Sequence, residues 1–142
     1  MYQLININET NPSAVIFTNY YIPTTIARMA ARLALRANHF KFRHGSVIWR
    51  KKHIVSSAFN TCYKTTPYGS GFHRSCHAEV MAILKARKVV PNLSGYNIFT
   101  IRINHLGQVR TSKPCPDCYA MINDFGLNPS WSEALIKESV DV

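Results

Sequence analysis

The stretch SCHAEVMAILKARKVVPNLSGYNIFTIRINHLGQVRTSKPCPDCYA, residues 75–120, decides the architecture. It reads as helix, strand, helix. A helix opens near His77, with Val80, Ile83 and Leu84 forming one face and Arg87 another, and Pro91 stops it. Tyr96–Ile103 is β-branched and aromatic, the strongest strand signal in the chain. Pro116–Phe125 reads as a second helix, with Pro at its start and Gly126 as its C-terminal cap. Helices alternating with strands predict an α/β layered domain.

Working outward, Gly45–Arg50 and His53–Phe59 read as two strands joined by the Arg50-Lys51-Lys52 turn, with Asn60 ending the second. A loop of about fourteen residues then leads to Cys76 and carries Tyr63, Tyr68 and Phe72; loops that long inside a small domain are functional or mobile. Upstream, Thr24 or Thr25 can cap a helix on which Ile26, Ala30, Leu33 and Ala37 recur at helical spacing. Arg28, Arg32 and Arg36 fall four apart on another face, a solvated arginine face or an anion-facing stripe. Ala14–Ile22 is a strand or an irregular lead-in.

The chain has 142 residues, one domain's worth, and 46% of them are hydrophobic, too many for a disordered chain. Charge is distributed unevenly within the net +10. Arg28 to Lys113 holds sixteen basic residues and one acid, Glu79, whereas five of the seven acids follow Pro114. A positive field of that size favours an anionic partner, either a phosphate-bearing small molecule or a polynucleotide. No secretory signal is visible and no apolar run approaches the roughly 18–20 residues that span a bilayer, so the expectation is a soluble, intracellular protein, cytoplasmic or otherwise, without membrane contact. Four cysteines in such a chain read as thiols or metal ligands.

Cys115 and Cys118, three apart on a first helical turn, can share a metal, and thiolates at a helix N-terminus are stabilised by its dipole. His77 supplies a third, neutral ligand, and three protein ligands leave the fourth position to water, the pattern of a catalytic zinc. Glu79 fits a proton shuttle beside that water. Residues i and i+2 of a regular helix point about 200° apart, so His77 must sit at the helix edge if both are to face one pocket. A structural four-thiolate site using Cys62 and Cys76, a redox C-P-D-C, and a second zinc on Cys62, Cys76 and His73 are weaker readings of the same residues.

H-x-E followed by P-C-x-x-C is a signature of zinc deaminases. With Ser75–Leu84, Thr111–Ala120, Arg43–Ile48 and Ser57–Asn60, the chain resembles the cytidine and deoxycytidylate deaminase superfamily over roughly residues 24–127. The resemblance implies a three-layer α/β/α domain with a mixed central sheet. It implies one zinc ion on His77, Cys115 and Cys118, with Glu79 as general acid/base. Asn60 is implied to contact the sugar or base edge and the Ala78 backbone N–H the pyrimidine carbonyl, while His44 and Arg43 flank the pocket where a phosphate would lie. The implied reaction is attack of activated water on C4 of cytosine, giving uracil and ammonia. The substrate is then a free nucleotide such as deoxycytidylate (dCMP) or, alternatively, a base in single-stranded DNA, RNA or tRNA; an inactive zinc-binding module is a further alternative, and association with copies of itself stays open.

Residues 1–23 form a lead-in, 24–127 the deaminase domain, and 128–142 a tail that departs from the family pattern. Pro129 is expected to break any strand there, and Glu133–Val140 to form a short helix. The C-terminal strands of the sheet would then be missing, or replaced by the N-terminal segment or a partner chain.

Overall fold

The computed structural model describes residues 3–6, 15–18, 21–37, 43–63 and 74–134. In chain order these form β1 (Gln3–Asn6), β2 (Val15–Thr18), α1 (Thr24–Arg36), β3 (Arg43–Arg50), β4 (His53–Phe59), β5 (Thr61–Tyr63), β6 (Arg74–Cys76), α2 (Ala78–Arg87), β7 (Asn97–Ile103), β8 (Val109–Arg110), α3 (Pro116–Asp124) and β9 (Asn128–Glu133). Seven strands make one sheet in the order β1-β2-β9-β7-β3-β4, with β8 beside the end of β7, and β5 pairs with β6 separately. β7 and β9 run parallel and the other pairs antiparallel, so the sheet is mixed.

Helices cover both faces. Consecutive β7 residues serve opposite cores. Phe99, Ile101 and Ile103 pack with Val47, Trp49 and the Ile26-Ala27-Ala30-Ala34 face of α1. Ile98 packs with Ile48, Ala82, Ile83, Ala86 and Ile122 under α2 and α3. This is the expected α/β/α layering, and it explains the continuously apolar reading of β7, whose two sides are both covered. Burying a side chain such as Phe99, 0% exposed, contributes about 1.5–3 kcal/mol. The alanine face of α1 lets the helix approach the sheet closely. A Cβ at Gly45 would collide with the Ala30 carbonyl oxygen and sit 2.8 Å from the Ala34 nitrogen.

The β3–β4 hairpin forms as expected, with Lys51 in the left-handed region at its turn (φ 54°). Gly126 follows α3 at φ 69°, the terminating conformation expected of it. Other expectations need correction. Neither Thr24 nor Thr25 caps α1: Pro23 is the N-cap and its carbonyl accepts the Ala27 N–H, so both threonines lie within the first turn. α2 ends at Arg87, before Pro91, its last carbonyls being used by a turn in which Val89 and Val90 N–H bond Ala86 O. The long loop after Asn60 is bounded by paired strands, Thr61 opposite Cys76.

The largest correction concerns the C-terminal segment. Pro129 lies inside β9, opposite Ile98 on β7. Asn128 N–H donates to Tyr96 O, so the alternation of a strand turns the Pro129 nitrogen to the other side. Among the described residues β2 pairs there with Ser132 and Glu133, beyond the proline, a place in a strand that Pro tolerates. The sheet is thus continued by β9 and then by the N-terminal strands. Glu133 ends β9 instead of opening a helix; residues 135–140 of the expected helix, with Tyr68, Phe72 and His73, lie outside the described residues. No helix among the described residues is long and apolar enough to cross a membrane.

Candidate active site

Two helix starts and one end of the sheet converge. His77 is the N-cap of α2 with extended backbone (φ −63°, ψ 140°), the edge position that spacing demanded if it and Glu79 are to share a pocket. Cys115 is the N-cap of α3, Pro116 opens the helix, and the Cys115 Sγ accepts the Cys118 N–H at 3.5 Å. The Nδ1 of His77 lies 3.0 Å from Cys118 Sγ and 3.8 Å from Cys115 Sγ. All three ligand atoms fall within 4.8 Å of one another. Tetrahedral zinc, with Zn–S about 2.3 Å and Zn–N about 2.0–2.1 Å, sets N and S about 3.6 Å apart, so the donor set and its spacing fit that ion.

Glu79, on the first turn of α2, is 5% exposed and is the one buried carboxylate among the described residues. Desolvation raises its pKa above the ordinary carboxylate range, opposed by a backbone hydrogen bond and by the His77 ring. Burial is also the main cause that pushes the Cys118 thiol upward, and the negative charge of Glu79 adds to it. His77 acting on Glu79, and Glu79 on Cys118, tie the carboxylate to the cluster. Both shifts lie toward the protonated form, and a cation placed among the groups would act in the opposite direction.

The sheet end beneath is polar. On the face covered by α2 and α3, the sequence of pairs along β3 and β7 runs from Ile48 and Ile98, through Ser46 Oγ and Thr100 Oγ1 at 2.7 Å, to His44 opposite Arg102. His44 and Asn60 clamp one another: Asn60 Oδ1 accepts the His44 N–H at 2.8 Å, and Asn60 N–H donates to His44 O at 3.2 Å. Thr61, next in the chain, pairs with Cys76 and donates from Oγ1 to Met81 Sδ on α2, which puts this clamp at the N-terminal end of that helix. Ala78 is fully buried at the first position of α2, where a backbone N–H has no intrahelical carbonyl to bond.

Ser112 and Ser132 were not singled out in the sequence. Ser112 Oγ donates to Thr100 O at 2.6 Å and lies 2.8 Å from Ser132 Oγ, anchoring the segment that delivers Cys115. The period-two serines Ser130 and Ser132 were the available signal, masked by Pro129.

The cytidine and deoxycytidylate deaminase zinc-binding region, as a family, matches residues 23–130. Among solved structures the chain is similar to the dCMP deaminase of the cyanophage S-TIM5. In the apo form the TM-score is 0.54 at 22% identity, covering 74% of this chain and 81% of that one. In the complex with dCMP and dUMP the values are 0.54 and 22%, covering 77% and 85%. At that identity the likeness speaks for the fold. No curated protein matches the chain.

Proposed function

The chain belongs to the cytidine and deoxycytidylate deaminase family, a zinc deaminase family, and from that membership we propose that it converts cytosine to uracil in a free pyrimidine nucleotide, dCMP in particular. The observation that carries the reading is the convergence of His77, Cys115 and Cys118 at two helix starts with the buried carboxylate of Glu79 beside them. The S-TIM5 enzyme, of the same fold, was solved with dCMP and dUMP, and this supports the choice of nucleotide.

In this reading His77 Nδ1 and the two thiolates hold the ion. When bound, zinc supplies Lewis-acid activation of water at neutral pH. Glu79 takes a proton from the attacking water and passes it to N3 of the base. A second proton travels through the same carboxylate to the amino group on C4, which leaves as ammonia, so cytosine and water become uracil and ammonia. The raised pKa of Glu79 suits a group that must alternately accept and donate. The Ala78 N–H would donate to the pyrimidine carbonyl. Asn60, whose Oδ1 is committed to His44, would meet the sugar or base edge through its amide nitrogen, and His44 the phosphate.

The test is a product assay of zinc-loaded and chelated protein on cytidine, dCMP, single-stranded DNA and tRNA. The expected result is zinc-dependent release of ammonia from dCMP above the others. Preference for a polymer would favour the polynucleotide alternative. Zinc binding without product from any of them would identify an inactive module.

A further inference from the structure

A second concentration of charge lies at the opposite end of the sheet from the metal cluster. β3 ends at Arg50, the Lys51-Lys52 turn follows, and β7 begins beside it, with Asn97 opposite Trp49. α2 starts at the cluster and ends here with Arg87 and Lys88, so its ten residues place these cations about 15 Å from His77. All five cations are exposed. The Arg50 guanidinium lies over the Tyr96 ring at 5.5 Å and that of Arg87 over the Phe125 ring at 5.2 Å. The two rings stand on adjoining backbone, since Gly95 N–H donates to Gly126 O and Asn128 N–H to Tyr96 O. Both arginines are therefore held in place over one ledge before any partner arrives.

Of the four carboxylates among the described residues, Glu79 and Asp117 lie on the first turns at the cluster and Glu133 at the far end of β9, leaving Asp124 alone at this end. The C-terminal carbonyls of α2 account for Arg87 and Lys88. They do not account for Arg50, Lys51 and Lys52, which sit on a strand turn. Lys51 in particular has φ 54°, a conformation cheaper for Gly or Asn, so a cation is kept there at a cost in stability. A single nucleotide at the metal cluster cannot also contact charges a whole helix away. Two arginines over adjoining rings, each followed directly in the chain by exposed lysines, suit a partner with repeated charges.

We propose that this end of the molecule is a docking surface for the phosphodiester backbone of single-stranded nucleic acid, separate from the pocket that performs deamination. The contacts are to phosphate, so binding is independent of base sequence.

The test uses the zinc-loaded full chain and a fluorescent twenty-nucleotide oligothymidylate, which offers no cytosine, with anisotropy followed as salt is raised. Five phosphate contacts predict a log–log slope of about −3 to −4. The variant Lys51→Gly/Lys52→Gln/Lys88→Gln should flatten that slope by about 2 and weaken binding at least tenfold, with zinc stoichiometry unchanged. Lys51→Gly alone should raise the melting temperature and weaken binding together; a turn-only role would raise the melting temperature and leave binding as it was. Absent or salt-insensitive binding, an unaffected triple variant, or tighter binding to phosphatidylserine vesicles than to the oligonucleotide would overturn the assignment.

Discussion

Ser132 on β9 and Ser112, just ahead of Cys115, hold one another through two hydrogen bonds: Ser112 N–H donates to Ser132 O at 3.0 Å and Ser132 N–H donates to Ser112 Oγ at 3.0 Å, with the two hydroxyl oxygens 2.8 Å apart. Ser132 Oγ also donates to Arg110 O and accepts the Arg102 N–H. Removing that hydroxyl takes one hydrogen bond from each of these two backbone groups, at about 1–3 kcal/mol. Ser132→Ala should therefore lower the melting temperature. Because the same contact steadies the segment carrying Cys115, zinc affinity should fall about tenfold, the lower end for losing a supporting group. Calorimetry and chelator competition measure the two effects, and an unchanged zinc affinity would show that this support is unrelated to the metal.

Gly45 makes the close contact between α1 and β3. A methyl group there meets backbone, the Ala30 carbonyl oxygen and the Ala34 nitrogen, which cannot rotate away as a side chain would. Ordinary overpacking costs about 1–3 kcal/mol, and Gly45→Ala should exceed that range because the helix itself must shift. Denaturant unfolding checks it; a loss below about 1 kcal/mol would mean that α1 docks more loosely than described.

Where a signal is local, the chain is readable. β7, the β3–β4 hairpin, both metal motifs and the Gly126 cap each declare themselves within a dozen residues, through periodicity, turn chemistry or ligand spacing. β9 does not. Asn128–Glu133 contains a proline and two serines, and only its neighbours make it a strand: the Pro129 nitrogen faces away from β7, while the Ser130 and Ser132 hydroxyls find Ile98 O and Arg110 O. The clasp between Ser112 and Ser132 joins residues twenty apart, which no local pattern encodes. The His44–Asn60 clamp is non-local in the same way; resemblance singled out both residues, and nothing in their spacing said that they would bind each other.

Glu79→Gln separates the proton carrier from the rest of the site. If Glu79 has the proposed role, deamination should fall roughly 100- to 10,000-fold while zinc stays bound. In the metal-free chain the substitution should also stabilise the fold at neutral pH. Desolvation raises the carboxyl pKa, so its contribution to stability is fully present below the ordinary carboxylate range and is lost as pH rises through the raised folded value. The glutamine removes that loss. The expected record is a metal-free parent that weakens with rising pH beyond its variant; identical pH profiles would place the carboxylate in water.

Metal capture should carry the opposite dependence on pH. Burial and the charge of Glu79 hold the Cys118 thiol well above its usual range, yet a zinc ligand must be the thiolate. Binding then displaces a proton, and affinity should rise about tenfold per pH unit for each thiol proton released. Zinc titrations between neutral and mildly alkaline pH, with proton release followed in two buffers of different ionisation enthalpy, would measure this. Cys118→Ser should abolish tight binding and the proton release together. Zinc uptake with no proton release would mean that Cys118 is already ionised in the free chain, against the burial that surrounds it.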